Sequence, residues 1–251
     1  MVERVRKEVV RIGELEIHYS VVGEGEPLVL VHGLSGSWLW WSRNVKELAK
    51  GYRVYLVDLP GFGAMRRFRN QFHLSKVALQ LDLWARAVGL ESACFIGHSM
   101  GGYVCLALAE LNPHLVSRLI LVATTGVPTY RSVLTGIFPM AKAVIRTRPS
   151  FWPILLYDAL RAGPILLFRA ASQVVSQDAS GLLSAIRVPT LLIWGEHDDL
   201  VPLKSGRQLR RLLPESRLFV IAHANHICMF DQPAIFNSAV QKFLKGEPVG
   251  D

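Results

Sequence analysis

Hydrophobic and polar positions along the chain fall into two alternating kinds of segment. Residues 27–31, 54–57, 93–96, 119–122, 190–194 and 217–221 form short, nearly continuous apolar runs. Such runs fit strands covered on both faces of a parallel sheet, not half-exposed strands. Between them the pattern changes to helical spacing. Ser75 stands as an N-cap before Val77, Leu81, Trp84, Ala85 and Val88, with Gly89 as the stop. Residues 100–111 are apolar nearly all round, as in a helix packed inside a protein, and 233–244 predict the last helix. Residues 5–12 and 15–22 flank the turn Gly13-Glu14 and read as an opening antiparallel pair. Strands alternating with helices in this way imply an α/β fold: a mostly parallel, doubly wound sheet with right-handed crossovers.

One segment breaks the rhythm. Across 126–185 helical pieces are separated by Pro139, Pro149, Pro153 and Gly163-Pro164, with no strand between them. The expectation is a helical cap inserted into a core made of residues 1–125 and 186–251. The chain has 251 residues, 51% hydrophobic and 19% charged, enough for one domain with a sizeable core. Its mean hydropathy of +0.28 raises the question of membrane segments. The most apolar stretches, 151–160 and 164–168, are broken by Pro, Asp or Arg and fall short of the roughly 20 residues a spanning helix needs. The first residues carry no apolar signal core, and three scattered cysteines fit neither a disulfide framework nor a zinc site. A cytoplasmic location is the expectation. The net charge of +8 comes without a Lys/Arg stripe interleaved with aromatics, so nucleic acid is not an expected partner.

The chemistry concentrates at Gly97-His98-Ser99-Met100-Gly101-Gly102, between an apolar strand run and an apolar helix. A turn this sharp exposes the Ser99 hydroxyl, and the flanking glycines leave room for the backbone. A serine hydroxyl needs a base to take its proton. Downstream, Asp198 fits a Gly-x-x-Asp-x-x-x-Pro spacing after a strand, with Asp199 as the alternative acid. His226 lies on a loop leading into the last helix and is the candidate base, while His223 reads as a loop or packing histidine. The oxyanion of a tetrahedral intermediate needs two donors. These are the backbone N–H of Met100, at a helix N-terminus, and that of Leu34, in the loop His32-Gly33-Leu34-Ser35-Gly36. His32 shapes that loop.

In these motifs the chain resembles the α/β-hydrolase superfamily of small serine hydrolases. His32-Gly33 looks like the oxyanion loop, Asp58 to Gly63 like the D-x-P-G-x-G turn, and Gly97 to Gly102 like the G-H-S-M-G-G elbow. Trp194 to Pro202 and His226 to Pro233 resemble the acid and base loops. The resemblance implies Ser99, Asp198 and His226 as a catalytic triad needing no metal or organic cofactor. Serine at 99 disfavours haloalkane dehalogenase and epoxide hydrolase activity, which use Asp there. Asn225, where Gly is common, and Asp231, where Glu is usual, are mild departures.

Trp38, Phe138, Trp152, Leu155 and Tyr157 are the candidate lining of an acyl pocket, and their apolar character favours an aliphatic or aromatic acyl group. The leading expectation is hydrolysis of a small-molecule carboxylic ester. The alternatives are an enol lactone, a thioester, a carrier-bound acyl methyl ester, a C–C bond beside a ketone, or a ligand receptor keeping the same fold. Six cations (Arg131, Lys142, Arg146, Arg148, Arg161, Arg169) face two carboxylates (Asp158, Asp178) within 126–185. This basic cap suits an acidic carrier protein or an anionic membrane surface.

Overall fold

The apolar runs become strands whose side chains alternate between two cores. The computed structural model describes residues 5–250 apart from 128, 131 and 214. Its single sheet contains β1 (Arg6–Ile12), β2 (Leu15–Val22), β3 (Glu26–Val31), β4 (Tyr52–Val57), β5 (Ala93–His98), β6 (Val116–Val122), β7 (Thr190–Gly195) and β8 (Ser216–Ile221). Their spatial order is β1-β2-β4-β3-β5-β6-β7-β8. β2 pairs antiparallel with β1 and β4, and every later pairing is parallel. In β3, Val29 and Val31 enter one core while Leu28 and Leu30 enter the other. That two-residue alternation on a sheet covered on both faces is why the run has no polar positions.

The first core is closed by α1 (Leu74–Ala87) and α2 (Met100–Leu111). Between β6 and β7 the longer helices are α3 (Val133–Arg146), α4 (Trp152–Ala162) and α5 (Pro164–Val175), with short helical turns at Pro149–Phe151 and Ser180–Leu183. They are followed by α6 (Leu203–Leu212), which adds Leu209 to the first core, and α7 (Pro233–Leu244), whose Phe236 and Val240 close the second. α5 packs against both α3 and α4. Among the described residues no single helix is long and apolar enough to cross a membrane.

One boundary differs from the sequence expectation. Ser75 is not the N-cap of α1; the helix begins at Leu74 after His73. The first N–H is satisfied from outside, because Leu74 N–H donates to Gln173 Oε1 of α5 at 2.8 Å. A long-range side chain therefore does what a local cap does elsewhere.

The sheet order also locates a crevice. From β3 the chain moves to β4 on one side and then to β5 on the other, so the loops after β3 and β5 diverge. Ligands of open α/β sheets bind at such a switch point, beyond the carboxyl ends of the strands.

Candidate active site

Ser99 follows β5 and caps α2 at φ 52° and ψ −117°. Its backbone is pinned from both sides. The N–H donates to Val122 O at 2.8 Å, and the carbonyl accepts from Gly102 N–H at 3.0 Å and Thr125 N–H at 3.3 Å. The neighbouring glycines are sterically required. A Cβ on Gly101 would lie 2.5 Å from the carbonyl oxygens of Val31 and His32, and one on Gly102 would lie 2.0 Å from Thr124 Oγ1. These contacts let α2 start directly against β3 and β6.

Asp198 follows β7 and His226 follows β8, so both stand at the sheet edge that carries Ser99. His226 Nδ1–H donates to Asp198 Oδ2 at 2.8 Å in a buried pair. The other carboxylate oxygen accepts the N–H groups of Leu200 (2.9 Å) and Val201 (2.8 Å), which fixes the acid's orientation. The alternative acid, Asp199, points elsewhere and pairs with Lys142 and Arg146 at 2.8 Å each. Among the described residues Ser99 Oγ and His226 Nε2 make no hydrogen bond, which leaves one proton donor and one base unengaged. Catalytic hydrogen bonds in ligand-free sites often tighten only when substrate binds. His223 is exposed on its loop at φ 55°, with its N–H on Glu196. Glu196, His197 and His223 bring three ligand atoms within 4.8 Å of one another, all on exposed side chains.

Sequence reasoning gave His98 no role beyond its place in the motif. Its Nε2–H donates to the backbone carbonyl of His226 at 3.0 Å, and the two rings lie 4.8 Å apart. Burial, reinforced by the His226 charge, holds His98 well below the usual imidazole range, so it stays neutral and keeps this donor. His32 shapes its turn as expected. Its Nδ1–H donates to Gly33 O at 2.8 Å and its Nε2 accepts Leu59 N–H at 3.0 Å. Asp58 ties the same region together by accepting Trp38 N–H and Ala64 N–H, and burial pushes its carboxyl upward. Among the described residues neither the Leu34 nor the Met100 backbone N–H is taken by a protein acceptor.

The five residues expected to line an acyl pocket divide. Trp38 and Leu155 are partly buried against the second core. Phe138, Trp152 and Tyr157 are not enclosed: they are 77%, 48% and 50% exposed. Their helices present small residues inward, such as Gly136 and Ala143 of α3, so the aromatics turn to solvent. The helical segment instead reaches the site through Asp158 of α4, another residue that sequence reasoning did not assign. Its Oδ2 accepts Ser37 Oγ at 2.8 Å and Trp40 Nε1–H at 3.1 Å, while its buried Oδ1 has no partner. Burial lifts this carboxyl to about 6.

Several of the segment's cations are also committed within the chain. Besides Lys142 and Arg146 on Asp199, Arg161 donates to Gly63 O and Arg169 to Arg69 O. Arg131 lies outside the described residues.

A model of the alpha/beta hydrolase family matches residues 28–239. The chain is 29% identical to a 2-hydroxy-6-oxononadienedioate/2-hydroxy-6-oxononatrienedioate hydrolase of Pseudomonas putida, over 94% of each chain. It is 28% identical to the 2-hydroxy-6-oxo-6-phenylhexa-2,4-dienoate hydrolase of Comamonas testosteroni, over 93% of each. Among solved structures, a thermophilic esterase from Thermogutta terrifontis shares the fold at a TM-score of 0.79 and 24% identity, covering 97% of this chain and 98% of that one.

Proposed function

The chain is a hydrolase that belongs to the alpha/beta hydrolase family, and from that premise we propose that it cleaves carboxylic esters of apolar acyl groups through an acyl-Ser99 intermediate. The observation that carries this reading is the buried 2.8 Å His226–Asp198 pair at the sheet edge that holds Ser99. Ser99 Oγ attacks the carbonyl carbon while His226 Nε2 takes the hydroxyl proton. The N–H groups of Leu34 and Met100 receive the developing oxyanion. Collapse breaks the ester bond, and His226 returns the proton to the departing alcohol. Water then repeats the sequence: it gives a proton to His226, attacks the acyl carbon and releases Ser99. Asp198 keeps the Nδ1 proton in place, so Nε2 is the basic nitrogen, and it stabilises the imidazolium. Trp38 and Leu155 serve as walls for the acyl group, and residues 126–185 act as a cap over the core formed by 1–125 and 186–251.

A second reading is cleavage of a C–C bond beside a ketone, with the same serine, base and oxyanion donors. The names of the Pseudomonas putida and Comamonas testosteroni relatives favour it. One panel separates the two: p-nitrophenyl esters of increasing acyl length and a 2-hydroxy-6-oxo-dienoate, on wild type and Ser99→Ala. Ester turnover that disappears in Ser99→Ala supports the first reading. Turnover of the dienoate alone selects the second. Wild type inert on both, or Ser99→Ala fully active, overturns the assignment.

A further inference from the structure

α3, α4 and α5 differ from ordinary surface helices in the apolar side chains that they also turn outward. A surface helix turns its apolar stripe toward the core and its polar face toward water. On α3 the stripe Leu134, Ile137, Phe138 and Ile145 faces solvent, each side chain between 55% and 77% exposed. Gly136 and Ala143 take the inward positions. On α4, Trp152, Leu156 and Leu160 recur every fourth residue and are likewise exposed. Ile165 and Phe168 of α5 continue the pattern on a helix packed against both. Scattered exposed apolar side chains are ordinary, but stripes on three adjoining helices mark a contact surface.

We propose that this face docks on the surface of a lipid bilayer carrying anionic headgroups, with the apolar stripes entering the headgroup boundary. The inference concerns the outer face of the inserted helices and stands independently of the chemistry assigned to Ser99. Helix length argues for lying on the membrane, not crossing it. α4 and α5 meet at a 97° bend, and an 11-residue helix spans only about 17 Å against a hydrocarbon thickness of about 30 Å. Composition matches an interfacial element: on α3 Lys142 and Arg146 flank the stripe of Leu, Ile and Phe, between it and the inward Gly136 and Ala143. Trp152 sits at the start of α4, a residue type that prefers the headgroup level.

Charge favours lipid over other occupants. Lys142 and Arg146 share the single carboxylate of Asp199 and remain 42% and 47% exposed, so one positive charge is left over beside the apolar stripe. Arg148 is exposed just beyond the end of α3. A second copy docking through the same patch would set these cations against themselves. An acidic carrier protein would need an open field of cations, whereas Arg161 and Arg169 are turned onto backbone carbonyls.

Co-sedimentation tests this with vesicles of phosphatidylcholine alone and of phosphatidylcholine mixed with phosphatidylglycerol. Wild type is expected to bind the mixed vesicles more tightly, and less well as salt rises. Ile137→Ser with Phe138→Ser, and separately Leu160→Ser with Ile165→Ser, should each weaken binding about tenfold or more. Leu111→Ser, which alters an exposed leucine outside these helices, should leave binding unchanged. Unchanged circular dichroism and thermal midpoints show that the variants remain folded. No binding to either vesicle overturns the proposal, as does binding that the double variants do not weaken. So does sedimentation of wild type as a dimer that those variants dissolve without vesicle binding. Retention on an immobilised acidic carrier protein without vesicle binding overturns it as well.

Discussion

Ser99 sits at φ 52°, a backbone region that disfavours a residue with a Cβ by roughly 1–3 kcal/mol. The turn holds it there through the Val122 carbonyl on one side and the Gly102 and Thr125 N–H groups on the other. Ser99→Gly should therefore raise the thermal midpoint by about 2–4 °C per kcal/mol released while abolishing turnover. A lower midpoint would mean that the conformation costs nothing. Asp198→Asn keeps the size of the acid but favours the wrong imidazole tautomer, and steady-state kinetics should give a kcat lower by about 10³ to 10⁴. An effect below about tenfold would remove Asp198 from the mechanism. These residues were legible in the sequence because their chemistry is local: a glycine-flanked serine after an apolar run, an acid after a strand, a histidine before the last helix. Spacing there favoured Asp198 over Asp199, but the physical basis of that choice is not local. It turns on which carboxylate faces His226 and which faces Lys142 and Arg146, and both are long-range contacts.

At the scale of elements, α2 approaches β3 and β6 only because Gly101 and Gly102 carry no side chain. Gly102→Ala would drive a Cβ into Thr124, and chemical denaturation should show a loss of about 1–3 kcal/mol. Asp158 couples α4 to the loop after β3, and its contribution depends on pH. Burial places its carboxyl at about 6, above the ordinary value of 3.8, so the folded protein holds this proton more tightly than the unfolded chain does. Its stabilising effect is complete below about pH 4 and is lost as pH rises through about 6. Asp158→Asn cannot lose that proton. Thermal melts should therefore show the variant gaining on wild type between these pH values, by on the order of 2 kcal/mol. A difference that stays flat with pH would show that Asp158 titrates normally. None of this was readable from α4 alone, since the partners Ser37 and Trp40 lie more than a hundred positions away. The Gln173 cap of α1 was hidden for the same reason, and Ser75 took its place in the local pattern.

Across the whole molecule, the sheet was the most legible feature. A strand covered on both faces cannot tolerate polar positions, and that constraint appears directly as apolar runs. The helical segment between β6 and β7 was legible as helices but not in its orientation. Spacing identifies an apolar stripe; it does not say whether the stripe meets a core or water. Phe138, Trp152 and Tyr157 were therefore assigned to a pocket, whereas their side chains face outward. The basic charge of that segment likewise gave no sign of the Asp199 pair that binds two of its cations. The molecule thus joins a buried acid–base pair beside a strained serine to an outer face built of exposed apolar helices.

The central claim is that Ser99 forms the covalent intermediate, and labelling with a fluorophosphonate followed by peptide mapping tests it without knowledge of the substrate. The account predicts one adduct per chain, on Ser99, absent in Ser99→Ala and formed much more slowly in His226→Ala. An adduct on another residue, or labelling that persists in Ser99→Ala, would contradict it.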